Sequence, residues 1–183
     1  DNVIVIDSIS KRYSACGARI GGIVSRNKEV LESVRRYANL RLSPPGLGQI
    51  LGEALVEMDN TYLEETKEEY DRRRNVVFSR LQKMEGVTSY LPGGAFYCFA
   101  RFPIESAEDF CRWLLEDFEF KGASIMLSPG NAFYSNNNLG RNEVRIAYVL
   151  NQDKLSVAMD CLEQALITYA AINEKKSINQ INA

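Results

Sequence analysis

Residues 3–24 read VIVIDSISKRYSACGARIGGIV, an apolar run that gives way to hydroxyls and cations. The run at 3–6 is short, β-branched and entirely apolar, which predicts a strand covered on both faces in a parallel sheet. The polar residues that follow stand at its carboxyl end, where open α/β sheets place their ligands. A second β-like run occupies 18–24. The sequence therefore predicts an α/β fold with a candidate ligand region around Lys11.

Outward from this segment, helical and strand patterns alternate. Asn27 can cap a helix, prolines at 44–45 precede another, and a Thr-x-x-Glu box at 61–64 opens a long charged helix to about residue 84. The remaining predicted elements are strands at 95–102, 124–127 and 144–149, and helices after Ser106 and over 152–172. A composition shift near residue 60 predicts domains 1–60 and 61–173, followed by a polar tail at 174–183.

The composition excludes several classes of function. The chain has 183 residues, of which 45% are hydrophobic and 25% charged, and its net charge is -2. No global basic field therefore attracts nucleic acid or an anionic membrane surface. The sequence contains no histidine, which removes histidine general bases and histidine-ligated zinc, and we predict no metal site.

The cysteines and termini give expectations about location. The four cysteines are scattered, which is typical of reduced thiols that fill a core in a cytoplasmic protein. No continuous apolar run reaches the ~20 residues that a membrane helix needs, so we expect no membrane span. The chain opens with Asp1 and not with Met, which indicates a cut inside a larger protein.

The residues around Lys11 suggest one cofactor. A lysine among hydroxyls supplies an amine that can attack a carbonyl, and Arg19 supplies a rigid fork that can hold a phosphate. Pyridoxal phosphate carries both the carbonyl, as an aldehyde, and the phosphate. From the residues alone two other interpretations stay open: Lys11 as a solvated surface charge and Arg19 as a residue on a strand edge.

Three motifs resemble those of the class I/II aminotransferases, pyridoxal phosphate enzymes of fold type I. Residues 8–21 match the family's cofactor-lysine signature, 92–97 resemble its small-domain strand, and 129–130 with 144–148 resemble its substrate-carboxylate region. The resemblance implies an α/β fold class: the C-terminal part of a fold-type-I transferase, with a remnant of the large-domain sheet and the small α+β C-terminal domain. It also implies an enzyme whose parent is a homodimer with the active site at its interface.

The resemblance assigns roles residue by residue. Lys11 matches the lysine that forms a Schiff base with the cofactor and moves the substrate proton, a role that burial beside cations would favour. Ser8 and Arg19 match ligands of the cofactor phosphate, and Ser10 is a weaker candidate for the same role. Arg145 matches the arginine that binds the substrate α-carboxylate; its alternative is a strand arginine paired with Glu143 or another carboxylate.

The implied partners are small molecules, an amino acid and a 2-oxo acid. We favour aspartate and 2-oxoglutarate, with Arg35, Arg36 and Arg41 as candidates for a distal carboxylate. The alternatives are a lyase or decarboxylase that shares the lysine motif, and an interaction fragment without catalysis. The family's N-terminal half carries the aspartate that pairs with the cofactor ring, so we expect the fragment alone to bind cofactor weakly and to be inactive.

Three other patterns have structural interpretations. The Gly46-x-Gly48-x3-Gly52 run follows prolines and not a strand, which favours a closely packed helix start over a dinucleotide site. The run 136–138 of three asparagines is typical of a turn, in a loop that lies near the substrate in the family. The stripe at helical spacing predicts core positions, at Phe110, Trp113, Leu114 and Phe118.

Overall fold

The computed structural model describes residues 2–136 and 138–181, with side chains as far as residue 175. The chain divides into two compact units, Asp1–Thr66 and Lys67–Ala183. The sequence predicts a boundary after residue 60, and the assignment of 1–60 to a large domain and 61–173 to a small domain stays a prediction.

The first unit is built on a two-stranded hairpin. Strand β1 (Ile4–Ser8) pairs antiparallel with β2 (Gly21–Ser25). Between the strands lie the one-turn helix α1 (Ile9–Arg12) and a 3-10 turn at Cys16–Ala18. The parallel pairing predicted for 3–6 is wrong, because among the described strands β1 pairs antiparallel with β2. All residues of β1 are exposed in this chain, which was expected to hold only a remnant of the large-domain sheet. An apolar run signals a tendency to be buried but does not encode the direction of the neighbouring strand.

Three helices follow: α2 (Lys28–Leu40), α3 (Gly46–Glu57) and α4 (Thr61–Leu81), and the division between the units falls within α4. Asn27 caps α2 as predicted, because its side-chain oxygen accepts hydrogen bonds from two backbone N–H groups at 3.1 Å. The capping box predicted at 61–64 is wrong. Thr61 is already helical, and its N–H donates to the Asp59 carboxylate 2.9 Å away.

Helix α3 packs closely on the segment that carries Arg19. Gly48 is buried, and a Cβ there would overlap the carbonyl oxygen of Ala18 and lie 3.1 Å from Ile20 Cγ1. At Gly52 a Cβ would lie 3.7 Å from Ile20 Cγ2. These contacts confirm the closely packed helix start predicted for the glycine run, since the absent side chain at Gly48 is what admits the neighbouring backbone.

The second unit contains a four-stranded antiparallel sheet in the order β3-β4-β6-β5. Its strands are β3 (Thr88–Ser89), β4 (Tyr97–Arg101), β5 (Ser128–Pro129) and β6 (Glu143–Ala147), and its helices are α5 (Ala107–Glu116) and α6 (Gln152–Ile181). The strand predicted at 124–127 is wrong, because pairing begins at Ser128. The last helix also continues to Ile181, beyond the predicted end at 172; residues 182–183 of the predicted tail lie outside the described residues.

One face of this sheet packs against the helices. The buried strand residues alternate along β4 and β6, and they are Cys98, Ala100, Val144 and Ile146. They meet buried residues of α5 and α6, among them Phe110, Leu114, Met159 and Leu162, none more than 1% exposed. The core predicted for the stripe on α5 is confirmed, with Trp113 partly buried against it.

Helix α6 has the composition of a core helix. By length and composition its segment Gln152–Lys175, with mean hydropathy 1.3, is long and apolar enough to cross a membrane. One face is buried in the unit's core through Leu155, Met159 and Leu162. A helix that packs on a sheet reaches the same composition because it needs a continuous apolar stripe.

Candidate active site

The first candidate cluster lies where β1 turns into α1. Ser8 caps α1: its Oγ accepts a hydrogen bond from the Ser10 N–H at 3.1 Å and donates to the Ile20 carbonyl oxygen at 3.1 Å. Ser8 also stands opposite Gly21 in the hairpin register. The Oγ atoms of Ser8 and Ser10 are 2.9 Å apart. The Ser8 hydroxyl is therefore fixed at the end of β1 by the backbone of Ser10 and Ile20, and the Ser10 hydroxyl lies beside it.

Arg19 lies on the other side of the same hairpin in an unusual conformation. Its φ is 56°, in the left-handed region that costs a non-glycine residue about 1 kcal/mol or more. Its Nη1 donates to the Cys16 carbonyl oxygen at 2.9 Å, and no described carboxylate pairs with it. The guanidinium is exposed and keeps N–H groups for an anion.

Lys11 lies in α1 and is exposed in this chain. The burial expected around its amine is therefore not supplied by the described residues. Its neighbour Arg12 pairs with Asp7 at 2.6 Å, and both of those side chains are more than half exposed. An open cleft of about 400 Å³ adjoins α1, with Ser8, Tyr13 and Gly21 among its lining residues.

Arg145 lies in the second unit, on the face of the sheet opposite the core. In the antiparallel register it stands opposite Phe99 of β4 and Ser128 of β5. Its guanidinium carbon is 4.5 Å from the ring centroid of Tyr97 and 4.5 Å from that of Phe133. Both distances are within the range of cation–π contacts, so two aromatic rings hold the charged group.

The alternative in which Arg145 pairs with Glu143 is wrong. Glu143 Oε1 accepts from Arg101 Nη2 at 2.9 Å, and Glu143 Oε2 accepts from the Tyr134 hydroxyl at 2.6 Å. The pKa of Glu143 is lowered mainly by the hydrogen bond from Tyr134 and further by the bond from Arg101. Within the described parts of the chain no carboxylate forms an ion pair with Arg145.

The residues around Arg145 went unrecognised in the sequence. Tyr97 and Arg101 alternate with buried positions on β4, so the period of two in the strand was a usable signal. Phe133 and Tyr134 come from the loop between β5 and β6, and no local pattern places a loop side chain over a particular strand residue.

Two of the three candidates for a distal carboxylate, Arg35 and Arg36, have side-chain partners within their own helix. Arg35 and Arg36 pair with Glu32 at 3.0 and 3.3 Å, on an exposed surface of α2 where such pairs are weak. Arg41 is the C-cap of that helix, and its backbone N–H donates to the carbonyl oxygens of Ala38 and Asn39. In the asparagine run, Asn136 Oδ1 accepts from the Asn138 N–H at 2.9 Å, as in a turn, and Asn137 lies outside the described residues.

The structure brings Ser8, Ser10, Lys11 and Arg19 onto one hairpin of the first unit, and it places Arg145 on the open sheet face of the second. The first group offers an amine, two hydroxyls and a guanidinium. The second offers a guanidinium without a counterion among the described residues. Both arrangements suit anionic small molecules.

Comparisons with known proteins identify the family. Residues 1–162 match the family model described as aminotransferase class I and II. An aspartate aminotransferase of Pyrococcus horikoshii is 33% identical over 170 residues, which cover 91% of this chain and 41% of the relative. An aromatic-amino-acid aminotransferase 2 of Thermococcus litoralis is 29% identical over the same share of each chain. The chain thus spans about two fifths of the length of these curated relatives.

Solved structures agree with the sequence matches. The crystal structure of an α-aminoadipate aminotransferase from Thermus thermophilus, complexed with N-(5'-phosphopyridoxyl)-L-leucine, is similar with a TM-score of 0.79 and 25% identity. The match covers 92% of this chain and 43% of that one. It confirms the predicted α/β fold, the C-terminal part of a fold-type-I transferase. The chain belongs to the class I and II aminotransferase family.

Proposed function

We propose that the chain is the C-terminal portion of a pyridoxal phosphate-dependent aminotransferase. The enzyme transfers an amino group from an amino acid, preferentially aspartate, to a 2-oxo acid, preferentially 2-oxoglutarate. The observation that carries the proposal is the joint placement of Lys11, Arg19 and two serine hydroxyls on one hairpin of a chain from this family.

The residues of the hairpin fit the cofactor. A phosphate needs several hydrogen-bond donors and a compensating positive charge, which the Ser10 hydroxyl and the Arg19 guanidinium provide; the Ser8 hydroxyl would join them by turning its proton from the Ile20 carbonyl oxygen to the phosphate. An aldehyde needs an amine, which Lys11 provides. When bound, pyridoxal phosphate supplies the aldehyde that takes up the amino group and a ring that withdraws electrons from the substrate Cα.

The side chains of the chain then have separate tasks. Lys11 would hold the cofactor through its amine, and the same amine would take the proton from the substrate Cα and return it, as general base and acid. Arg145 binds the α-carboxylate with its fork of N–H groups and so orients the Cα–H bond. The rings of Tyr97 and Phe133 restrict the guanidinium before substrate arrives.

Replacement of Lys11 tests the proposal. In the full-length enzyme that contains this chain, we expect Lys11→Ala to abolish amino transfer, while Lys28→Ala, an exposed lysine at the start of α2, keeps it. Undiminished turnover of Lys11→Ala would refute the assignment. The assay also separates the alternative chemistry, because an elimination or decarboxylation needs no 2-oxo acid acceptor.

Replacement of Arg145 tests the carboxylate role. We expect Arg145→Ala to raise KM for every amino-acid donor by about 100-fold or more, and Arg145→Lys to recover only part of the loss, because lysine lacks the bidentate fork. Arg112 on α5 serves as a matched control, since its side chain is 57% exposed and pairs only within its own helix. An unchanged KM in Arg145→Ala would remove it from this role.

The choice of aspartate is supported by the relatives. One is an aspartate aminotransferase at 33% identity, whereas another at 29% acts on aromatic amino acids by name, so the two donors must be compared directly. We expect kcat/KM to be higher for L-aspartate than for L-phenylalanine. The reverse order would replace aspartate by an aromatic donor and leave the aminotransferase proposal intact.

We also propose that the full-length enzyme is a cytoplasmic homodimer. All four cysteines are free, and burial raises the pKa of the Cys98 and Cys111 thiols to about 11, which keeps them protonated and unreactive at neutral pH. This supports the expected role as core fillers, with Cys16 as the exposed exception. Sedimentation equilibrium of the full-length enzyme tests the dimer; a monomer with full activity would contradict it.

A further inference from the structure

The open face of the second unit's sheet carries a charge network beside Arg145. Side chains directly opposite each other in an antiparallel pair share a face, so this face presents the pairs Phe99–Arg145 and Arg101–Glu143. The opposite face is buried through Ala100 and Val144. Two arginines and one carboxylate therefore stand side by side above the core.

Glu143 is placed to compete with a substrate carboxylate for binding to the Arg145 guanidinium. The two residues stand at i and i+2 on β6, so their Cα atoms are about 7 Å apart and their side chains leave the same face. A glutamate and an arginine span that distance easily. An intrastrand ion pair would occupy the N–H groups that a bound carboxylate needs, and any ligand would have to break it.

Two other side chains occupy both oxygens of Glu143. Arg101, directly across on β4, donates to Oε1 at 2.9 Å, and the Tyr134 hydroxyl donates to Oε2 at 2.6 Å. The Glu143 side chain is only 13% exposed, so these bonds act with little competition from water. Gly140 supports the arrangement: its φ is +67°, and a Cβ there would lie 2.5 Å from the Tyr134 ring.

The Arg145 guanidinium contacts two aromatic rings and pairs with no described carboxylate. Tyr97 and Phe133 contact its guanidinium from ring centroids 4.5 Å away, and Phe99 meets Phe133 edge-on at 5.5 Å. Ring faces attract the cation without using its N–H donors, which point outward in the guanidinium plane. The charge is thus held in place while its hydrogen-bonding capacity is preserved.

We infer that Arg101 and Tyr134 are positioning residues: by binding both oxygens of Glu143 they keep it away from Arg145, which stays available to the carboxylate of an amino-acid substrate. The inference rests on the proposed carboxylate role of Arg145. It predicts that loss of the two donors harms substrate binding because Glu143 then turns to Arg145.

The test uses the full-length holoenzyme and steady-state kinetics with L-aspartate and L-phenylalanine, which share the α-carboxylate. We expect the double variant Arg101→Ala/Tyr134→Phe to raise KM for both donors by about tenfold, with a much smaller change in kcat. Adding Glu143→Gln to that double variant removes the competing charge. We expect this triple variant to return KM to within about threefold of the wild type.

The triple variant separates positioning from a structural role. If Arg101 and Tyr134 merely stabilised the sheet, removal of a third member of the network would leave KM high or raise it further, and that result would overturn the inference. An unchanged KM in the double variant would overturn it as well. Should the double variant fold poorly, judged by far-UV circular dichroism, Tyr134→Phe with and without Glu143→Gln provides the same comparison at smaller amplitude.

The inference and the proposed function fail in different ways. If Arg145→Ala leaves KM unchanged, the carboxylate role of Arg145 is lost and the inference with it. If Arg145→Ala raises KM while the double variant does not, the proposed function stands and only the positioning role of Arg101 and Tyr134 is contradicted.

Discussion

The two units of the chain differ most in how they bury apolar side chains. In the second unit, Lys67–Ala183, a sheet face and two helices enclose a core that includes Phe102, Phe110 and Tyr148, each at most 1% exposed. In the first unit, Asp1–Thr66, Gly48 is the only buried residue among those described. Apolar residues there, such as Ile6 at 75% and Ile50 at 65%, remain exposed.

Stability and the candidate cofactor residues reside in different units of the chain. A closed core supplies enough buried area to offset the entropy lost on folding, whereas an open hairpin with exposed strands does not. Lys11, Ser8 and Arg19 all belong to the open unit. The residues proposed to bind the cofactor therefore sit on the part of the chain that most needs a further apolar surface to cover it.

The largest expected effect comes from a large side chain in the closed core. Phe110 is 0% exposed and contacts Phe102 and Tyr169 edge-on, so Phe110→Ala should lower the free energy of unfolding by about 3–5 kcal/mol. Ile50→Ala, in the open unit, should cost about 0.5 kcal/mol or less. Urea unfolding followed by Trp113 fluorescence and by far-UV circular dichroism measures both; similar losses would remove the contrast between the units.

A smaller effect is expected at Gly48, a tightly packed position of the first unit. Gly48→Ala places a methyl group against the Ala18 carbonyl, so α3 or the 16–20 segment must shift, at a cost of about 1–3 kcal/mol. Gly46→Ala is the matched control, because a Cβ there meets nothing within 4 Å. Hydrogen exchange of the amides at 16–20 should accelerate in Gly48→Ala alone, and equal exchange in both variants would contradict this packing.

Acid should act on the second unit through Glu143. Its pKa is lowered by the Tyr134 and Arg101 hydrogen bonds, so its contribution is present above the unfolded pKa of about 4.3 and is lost as pH falls through the lower folded value. Glu143→Gln should cost about 1 kcal/mol at pH 7 and flatten the acid side of the stability curve. An acid limb as steep as that of the wild type would show that another carboxylate controls it.

The smallest effect is expected at the exposed ion pair of the first unit. Asp7 and Arg12 are 2.6 Å apart, but their side chains are 58% and 52% exposed, so Asp7→Asn should change the free energy of unfolding by less than about 0.5 kcal/mol. The same urea titrations measure it. A loss comparable with that of Glu143→Gln would mean that this pair is shielded from solvent in the folded protein.

Local signals in the sequence predicted most elements correctly. The Asn27 cap, the glycines of α3 and the stripe on α5 depend on neighbours within a few residues, so spacing alone is informative there. On α4, Glu68–Arg72 and Glu69–Arg73 are two further contacts between residues four apart, at 3.9 and 2.6 Å.

Features that depend on residues far apart in the sequence were not predicted from it. β1 pairs antiparallel with β2 because the chain reverses direction between them, through α1. The composition of the strand does not determine that direction. The partner of Glu143 is decided by Arg101 across the sheet and by a loop tyrosine, while spacing within β6 suggested Arg145. Lys11 and Arg19 were recognised from the residues themselves, whereas the roles of Ser8, Ser10 and Arg145 came from the family resemblance. The rings that hold Arg145 became visible only in three dimensions.

The most direct test of the central claim is chemical. The full-length enzyme is incubated with pyridoxal phosphate, reduced with borohydride and digested, and the modified peptide is mapped. We predict a phosphopyridoxyl group on Lys11, with Lys28 unmodified at stoichiometric cofactor, and loss of that label when Arg19 is replaced by alanine. Equal labelling of Lys11 and Lys28, or selective labelling of another lysine, would contradict the role proposed for this hairpin.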